Sequence, residues 1–453
     1  MSGAMEDWLK SEDSKEYFEL LKFATVGAER ERLRDCAACA TWLKAWLRKI
    51  GAEAELVSRD FAPPVVMAEI RAADGAPTVL FYGHYDVQPP DPEGEWLSPP
   101  FEPTVCGDRV RCRGAQDDKG QFFAFLCGLR EHLAGPDARR VNVKIVLDGQ
   151  EESGSVALFS LLGDAAFRRR LAADVMLVSD TSAAAGMRPA IIAGLRGVNH
   201  FTVTLRAANR DLHSGEYGGI APNAAQGMAE LMASLHNADG SIAVKGFLDG
   251  IEPPSAEEVA AAEAGMTGQD GYAADIGTEP CGGERGKSVA MRNCFEPTIE
   301  VNGIHSGYGG PGSKTVIPCE AIAKLSTRLV PGQSPARTYE AVKRHLEEHC
   351  PSGMKVELSE LTGDAPGFRL PLSSPLFRLA QGLLSEIDPR GAVFQWSGAS
   401  IPVVAAIREA SGAAPLLVGW GLPEDRIHSP NESYSLAQFA TAKTWAVKVL
   451  GAL

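Results

Sequence analysis

Long apolar runs are missing from this 453-residue chain: the longest uncharged run, Gly391 to Ile407, contains Gln395, Ser397, Ser400 and Pro402. That stretch is too polar and too broken to span a bilayer, so no membrane segment is expected. Positive charge is also in deficit. With 44 Lys and Arg against 58 Asp and Glu, the formal charge of -14 has the wrong sign for a surface that tracks phosphates. Nucleic acid is not an expected partner, and the short basic run Arg168-Arg169-Arg170 reads as a solvated helix face. Regular cysteine spacing is absent too: the nine cysteines are odd in number and scattered, which argues against a disulfide framework and for a reducing, cytoplasmic setting. Cys36 and Cys39 form a C-x-x-C, but inside the apolar periodicity Leu33, Cys36, Ala40, Leu43, Leu47, so both read as buried thiols on a helix. Met1 to Lys10 has no basic segment followed by an apolar one, and a secretory leader is not expected.

What is present is an ordinary globular composition, 45% hydrophobic and 23% charged, in a chain long enough for two to four domains at roughly 100–200 residues each. Before residue 195, short apolar runs alternate with helical periodicity: Val65–Ile70, Val79–Tyr82, Gln121–Leu133, Val143–Leu147 and Val175–Val178. Strands alternating with helices predict an α/β layer built on a mostly parallel, mixed sheet flanked by helices. From Arg196 the texture changes. The order strand, helix, strand, strand, helix, strand predicts an α+β domain with an antiparallel sheet, and 250–290 reads as a long connection with a short helix. After about residue 363 the first texture returns with Pro375–Glu386, Pro415–Val418 and Ser435–Leu450, so the domains are expected at 1–195 with 363–453, and at 196–362.

The acids and histidines fall where strands end. Val79–Tyr82 runs into Gly83-His84-Tyr85-Asp86, Val143–Leu147 into Asp148-Gly149-Gln150-Glu151-Glu152, and Val175–Val178 into Ser179-Asp180. Arg113-Gly114-Ala115-Gln116-Asp117-Asp118-Lys119-Gly120 puts two carboxylates before an apolar helix, and Ile427-His428-Ser429-Pro430 follows the strand near Val418. Singly, each has a bland reading as a surface turn, a solvated face or a helix N-cap. Jointly they do not, because buried carboxylates at strand ends are costly unless paired or bound to metal, and two His with three or more acids match zinc's nitrogen and oxygen ligands.

These motifs, with Arg210-Asp211-Leu212-His213-Ser214-Gly215 and Gly312-Ser313-Lys314-Thr315-Val316-Ile317-Pro318, resemble in order those of the dinuclear zinc metallopeptidases: carnosinase-like dipeptidases, aminoacylase and succinyl-diaminopimelate desuccinylase. The resemblance implies two Zn2+ per chain, with Mn2+ or Co2+ as alternatives that a carboxylate-rich site discriminates poorly. It implies His84 and Asp180 on one ion, Glu152 and His428 on the other, and Asp117 bridging both through a site that a shared water completes. Glu151 is implied as general base toward the hydroxide this water supplies, and Asp86 as the group that hydrogen-bonds the other ring nitrogen of His84. The Asp117–Asp118 peptide is implied to be cis.

The second domain resembles the family's lid and dimerisation domain, which implies a homodimer. His213 matches a histidine that reaches into the partner's site to stabilise the oxyanion, and Arg328 an arginine that grips a free substrate carboxylate. Thr315 and Ser400 are expected to line the substrate site, with turn hydroxyls as the alternative. The stretch Trp396-Ser397-Gly398-Ala399 departs from the acidic residue and two glycines common before Ser-Ile-Pro in such dipeptidases. His345 and His349 sit on a charged helix and read as its solvated face. The function implied is hydrolysis of a peptide bond in dipeptides or short peptides with a free carboxylate. The alternatives are an N-acyl-amino-acid deacylase with the same metal core and a catalytically silent metal-binding protein; the insertion at 250–290 and the Asp91–Trp96 stretch favour the dipeptidase branch.

Overall fold

The strands that end in acids and histidines lie side by side. In the computed structural model, which describes residues 3–59, 62–136, 138 and 140–453, they belong to the first of two compact units, Met1–Ala193 with Pro371–Gln395 and Ala406–Leu453. Its sheet runs Glu53–Val57, Val65–Ile70, Asn142–Asp148, Thr78–His84, Val175–Val178, Ala414–Leu417, Ala190–Leu195. The central pairings from Asn142–Asp148 to Ala414–Leu417 are parallel, and those outside them are antiparallel. The apolar run Val79–Tyr82 is buried at every residue, the pattern of a parallel strand covered on both faces.

The helix Lys119–Ala134 is buried along most of its length and packs against the closing helix Leu436–Ala452. Phe125 from this helix stacks on Phe81 of the central strand with ring centroids 3.7 Å apart. Such a pair adds about 0.5–1.5 kcal/mol beyond the area it buries, and it fixes the helix over the strand that carries His84. Cys36 and Cys39 are fully buried on the helix Leu33–Lys49.

The second unit comprises Gly194–Leu370 and Trp396–Ala405. Its antiparallel sheet runs Thr298–Ser306, Glu320–Leu329, Gly197–Arg206, Lys355–Ala365. The helices Ala224–Ser234 and Pro335–Glu348 close a core in which Phe201, Val203, Leu205, Met228, Leu325 and Leu346 are buried. The connection at 250–290 carries two helices, Ala256–Gly265 and Gln269–Ile276, where one was expected. His345 corrects the solvated-face reading: it is buried, stacks on His349 with centroids 4.0 Å apart, and places Nε2 at 3.0 Å from Ser234 Oγ. It turns toward the helix Ala224–Ser234, whose Ser234 covers the ring nitrogen, rather than toward the charged side of its own helix. Among the described residues, no helix is long and apolar enough to cross a membrane.

Candidate metal centre

Ligand-type side chains converge because the parallel strands end at one edge, where an α/β sheet collects its ligands. His84 is the last residue of Thr78–His84; Glu151 and Glu152 start the short 3-10 turn that follows Asn142–Asp148; Asp180 follows Val175–Val178. Asp117 precedes the helix Lys119–Ala134, and the Asp117–Asp118 peptide is cis, as the resemblance implied. The approach to this turn needs Gly114, whose φ is +80° and where a Cβ would lie 2.6 Å from Val87 Cγ1.

Two groups of side chains share Asp117. His84, Asp117 and Asp180 form one and Asp117, Glu152 and His428 the other, each offering ligand atoms that lie within 4.8 Å of one another. His84 Nε2 is 3.2 Å from Asp117 Oδ1 and 3.7 Å from Asp180 Oδ2. His428 Nε2 is 2.9 Å from Asp117 Oδ2 and 3.2 Å from Glu152 Oε1. The two oxygens of Asp117 thus face different groups. Asp86 is fully buried behind them: its carboxylate accepts the backbone N–H groups of Glu151 at 3.0 Å and Glu152 at 3.1 Å and lies 3.4 Å from His84 Nδ1. Glu151 has no side-chain hydrogen bond or ion pair among the described residues.

Without a cation, this cluster is electrostatically unfavourable for its acids. Burial pushes Asp180 up to about 7, with Asp117 and Glu152 adding to the shift and His84 opposing it. Burial likewise raises Glu151 well above the carboxylate range, against His84 and with Asp180, Glu152 and Asp86. Burial also acts upward on Asp117, but hydrogen bonds from His428 and His84 outweigh it and hold this carboxyl low. His428 is raised to about 10, chiefly by the nearby carboxylates of Asp117 and Glu152. A divalent cation reverses the penalty on the acids and takes the imidazoles as neutral ligands. Glu152 Oε1 fits such a role: it is buried and, although His428 Nε2 is near, it has no partner in hydrogen-bond geometry. Two imidazole nitrogens and three carboxylates suit zinc-like ions.

The second unit brings its four expected residues together as two pairs. His213 and Thr315 meet where Leu212–His213 pairs with Val316–Ile317, with His213 Nε2 at 3.5 Å from Thr315 Oγ1. The Gly215 N–H donates to His213 Nδ1 at 3.0 Å, which leaves the ring hydrogen on Nε2. Arg328 donates from Nη1 to Ser400 Oγ at 2.9 Å, and Ser400 donates to the Gly197 carbonyl at 3.1 Å. Arg196 lies in the same electrostatic neighbourhood and is lowered to about 10 by burial first and by Arg328 second. Its guanidinium donates to the carbonyls of Gly398 and Glu296, so neither it nor Arg328 has a carboxylate partner among the described residues.

Two residues at the metal centre escaped the sequence reading. Gln88 donates to Glu152 Oε2 at 2.7 Å. Glu432, fully buried, accepts from the backbone N–H of Asp117 at 3.0 Å. The signal for Gln88 was its place in Gly83-His84-Tyr85-Asp86-Val87-Gln88-Pro89; for Glu432 only its closeness to His428 in sequence pointed this way.

Fold and donor set together define a metal-dependent hydrolase. The chain belongs to the peptidase family M20/M25/M40, whose model matches residues 80–451. It is 30% identical over 373 residues to the human Beta-Ala-His dipeptidase, covering 82% of this chain and 73% of that protein. It is 30% identical over 391 residues to the Cys-Gly metallodipeptidase of Schizosaccharomyces pombe, covering 83% and 80%. Among solved structures it is similar to an M20 family metallo-carboxypeptidase from Sulfolobus solfataricus, with a TM-score of 0.86, 27% identity and coverage of 97% and 99%. Human carnosine dipeptidase 1 superposes with a TM-score of 0.79 at 25% identity, covering 100% of this chain and 99% of that one. These relatives place the chain in the dipeptidase branch, and the deacylase alternative is not favoured.

Proposed function

We propose that the chain hydrolyses dipeptides, or short peptides ending in a free carboxylate, at a centre of two zinc ions. The observation that carries this reading is Asp117, whose two carboxylate oxygens face two separate histidine-containing groups. His84 and Asp180 hold one ion, Glu152 and His428 the other, and Asp117 serves both. When bound, such a cation pair lowers the pKa of a water and polarises the scissile carbonyl. Glu151, adjacent to a ligand and with no side-chain hydrogen bond among the described residues, takes the proton of the attacking water and returns it to the leaving amine. Asp86 holds the backbone of Glu151 and Glu152 in place while it orients His84.

Arg328 and Ser400 receive the substrate carboxylate. The fork geometry of the guanidinium, whose hydrogen bond goes to Ser400 and which has no carboxylate at salt-bridge distance among the described residues, supports this role. The Nε2–H tautomer of His213 is the form that donates to developing negative charge on the carbonyl oxygen, with Thr315 beside it. A homodimer through the second unit agrees with its edge strand Thr298–Ser306, where Val301 and Ile304 are 40% and 53% exposed. In such a dimer His213 acts in the partner's site. Nine free thiols suit a reducing cytoplasm. A panel of dipeptides, tripeptides and N-acetyl amino acids, assayed with zinc and after chelation, tests the reading. Zinc-dependent cleavage concentrated in dipeptides is expected, whereas cleavage confined to N-acetyl amino acids defeats it.

A further inference from the structure

His428 lies in a turn, outside any helix or strand. Its φ is 56°, and Arg426 and Asn431 in the same loop are also left-handed, at 58° and 69°. Non-glycine residues adopt that conformation where surrounding contacts impose it. The contacts come from two neighbouring side chains. Asn431 donates to the Glu95 carbonyl and accepts from the Leu97 N–H, both at 2.8 Å. Glu432 faces the other way, into the loop that carries Asp117. Its Oε1 accepts from the N–H groups of Gln116 at 2.9 Å and Asp117 at 3.0 Å; its Oε2 accepts from the Gly114 N–H and from Arg113 Nη1, both at 2.9 Å. Its own carbonyl accepts from the Cys112 N–H at 3.1 Å.

We infer that Glu432 is a positioning residue: one buried carboxylate locks the loop of His428 onto the loop of Asp117 and so sets the separation of these two groups. Every partner of this carboxylate is a donor, two on each oxygen, so an ionised acid satisfies the site and an amide does not. Glutamine would turn an NH2 group toward two of those donors and leave the Arg113 guanidinium buried without its counter-charge. His84 and Asp180 stand at the ends of paired strands and do not depend on this lock. Disturbing Glu432 therefore acts most on the group formed by Asp117, Glu152 and His428, which holds both anchored loops, and reaches the other group only through Asp117.

The proposal rests on Asp117 and His428 being ligands, and the test separates the two claims. Metal-free wild type and Glu432→Gln, each shown to be folded by circular dichroism, are titrated with zinc in a calorimeter beside a competing chelator. Wild type should bind two ions. The variant should keep one near wild-type affinity and bind the other about 10–100-fold more weakly, with kcat falling more than KM changes. Two ions bound by the variant as tightly as by wild type, even at lower heat stability, reduce Glu432 to a structural part, and so does equal weakening of both. A wild type that binds no zinc defeats the ligand assignment itself. If Glu432→Gln does not fold, Glu432→Asp, which keeps the charge and shortens the reach by one methylene, is judged by the same criteria.

Discussion

The carboxylate of Asp86 accepts the backbone N–H of Glu151 at 3.0 Å while it lies 3.4 Å from His84 Nδ1. One buried acid therefore orients both the proposed ligand His84 and the proposed base Glu151. Changing Asp86 to Asn puts an amide NH2 where one of these donors must be accepted, and removes the negative charge that favours an Nδ1–H tautomer with Nε2 open to metal. A loss of about 10–100-fold in zinc affinity or in turnover is expected, read by competitive zinc titration and steady-state kinetics. Unchanged values for both would remove Asp86 from the mechanism.

The local sequence carried much of this centre because a parallel strand advertises itself. Val143–Leu147 and Val175–Val178 are apolar runs that stop at acids, and strand ends in such a sheet share an edge. Glu432 offered no such cue: an acid in a polar loop looks solvated until the chain brings up Arg113, 319 residues away, and the N–H groups beside it. His345 was misread for a related reason, since its charged neighbours Arg344, Glu347 and Glu348 occupy the outer face while His345 itself turns inward to Ser234. The placement of Trp396–Ala405 with the second unit was equally hidden, because it depends on the bonds from Arg196 to Gly398 and from Arg328 to Ser400.

Packing behind the site is tight enough to test with one methyl group. At Gly128, on the helix that starts just after Asp118, a Cβ would lie 2.5 Å from Ala446 Cβ and 2.6 Å from the Lys443 carbonyl oxygen. Gly128→Ala gains up to about 1 kcal/mol of helix propensity. The forced separation of the two helices costs about 1–3 kcal/mol, so net destabilisation is expected in urea unfolding. A variant more stable than wild type would show that the closing helix yields to the methyl group.

Carboxylate recognition predicts a split between KM and kcat. Arg328→Lys keeps the charge but loses the planar fork, so KM for a dipeptide should rise about 10–100-fold, corresponding to a charged hydrogen bond of about 1.5–3 kcal/mol, while kcat moves less. The same dipeptide with an amidated C-terminus is the control. Wild type should prefer the free acid strongly, and the variant should lose most of that preference. Ser400→Ala, which removes a neutral partner of Arg328, should cost about 1 kcal/mol, or roughly fivefold in KM. Equal discrimination against the amide by wild type and Arg328→Lys would place the carboxylate elsewhere.

The proposed division of labour between two chains makes a prediction no single-site variant can imitate. Glu151→Gln should keep both zinc ions and lose about 10²–10⁴-fold in kcat, because the water has lost its proton acceptor. His213→Ala should retain metal and Glu151 but lose the donor that the Gly215 N–H holds in its Nε2–H form. If His213 serves the partner's site, a heterodimer of the two variants contains one site with both residues intact and one with neither. Mixed after dissociation and reassociation, the two inactive proteins should recover about a quarter of wild-type activity, since random pairing makes half the dimers mixed and each mixed dimer has one good site of two. Recovery should follow the fraction of mixed dimers measured by native mass spectrometry. Mixed dimers without activity would place His213 in the site of its own chain.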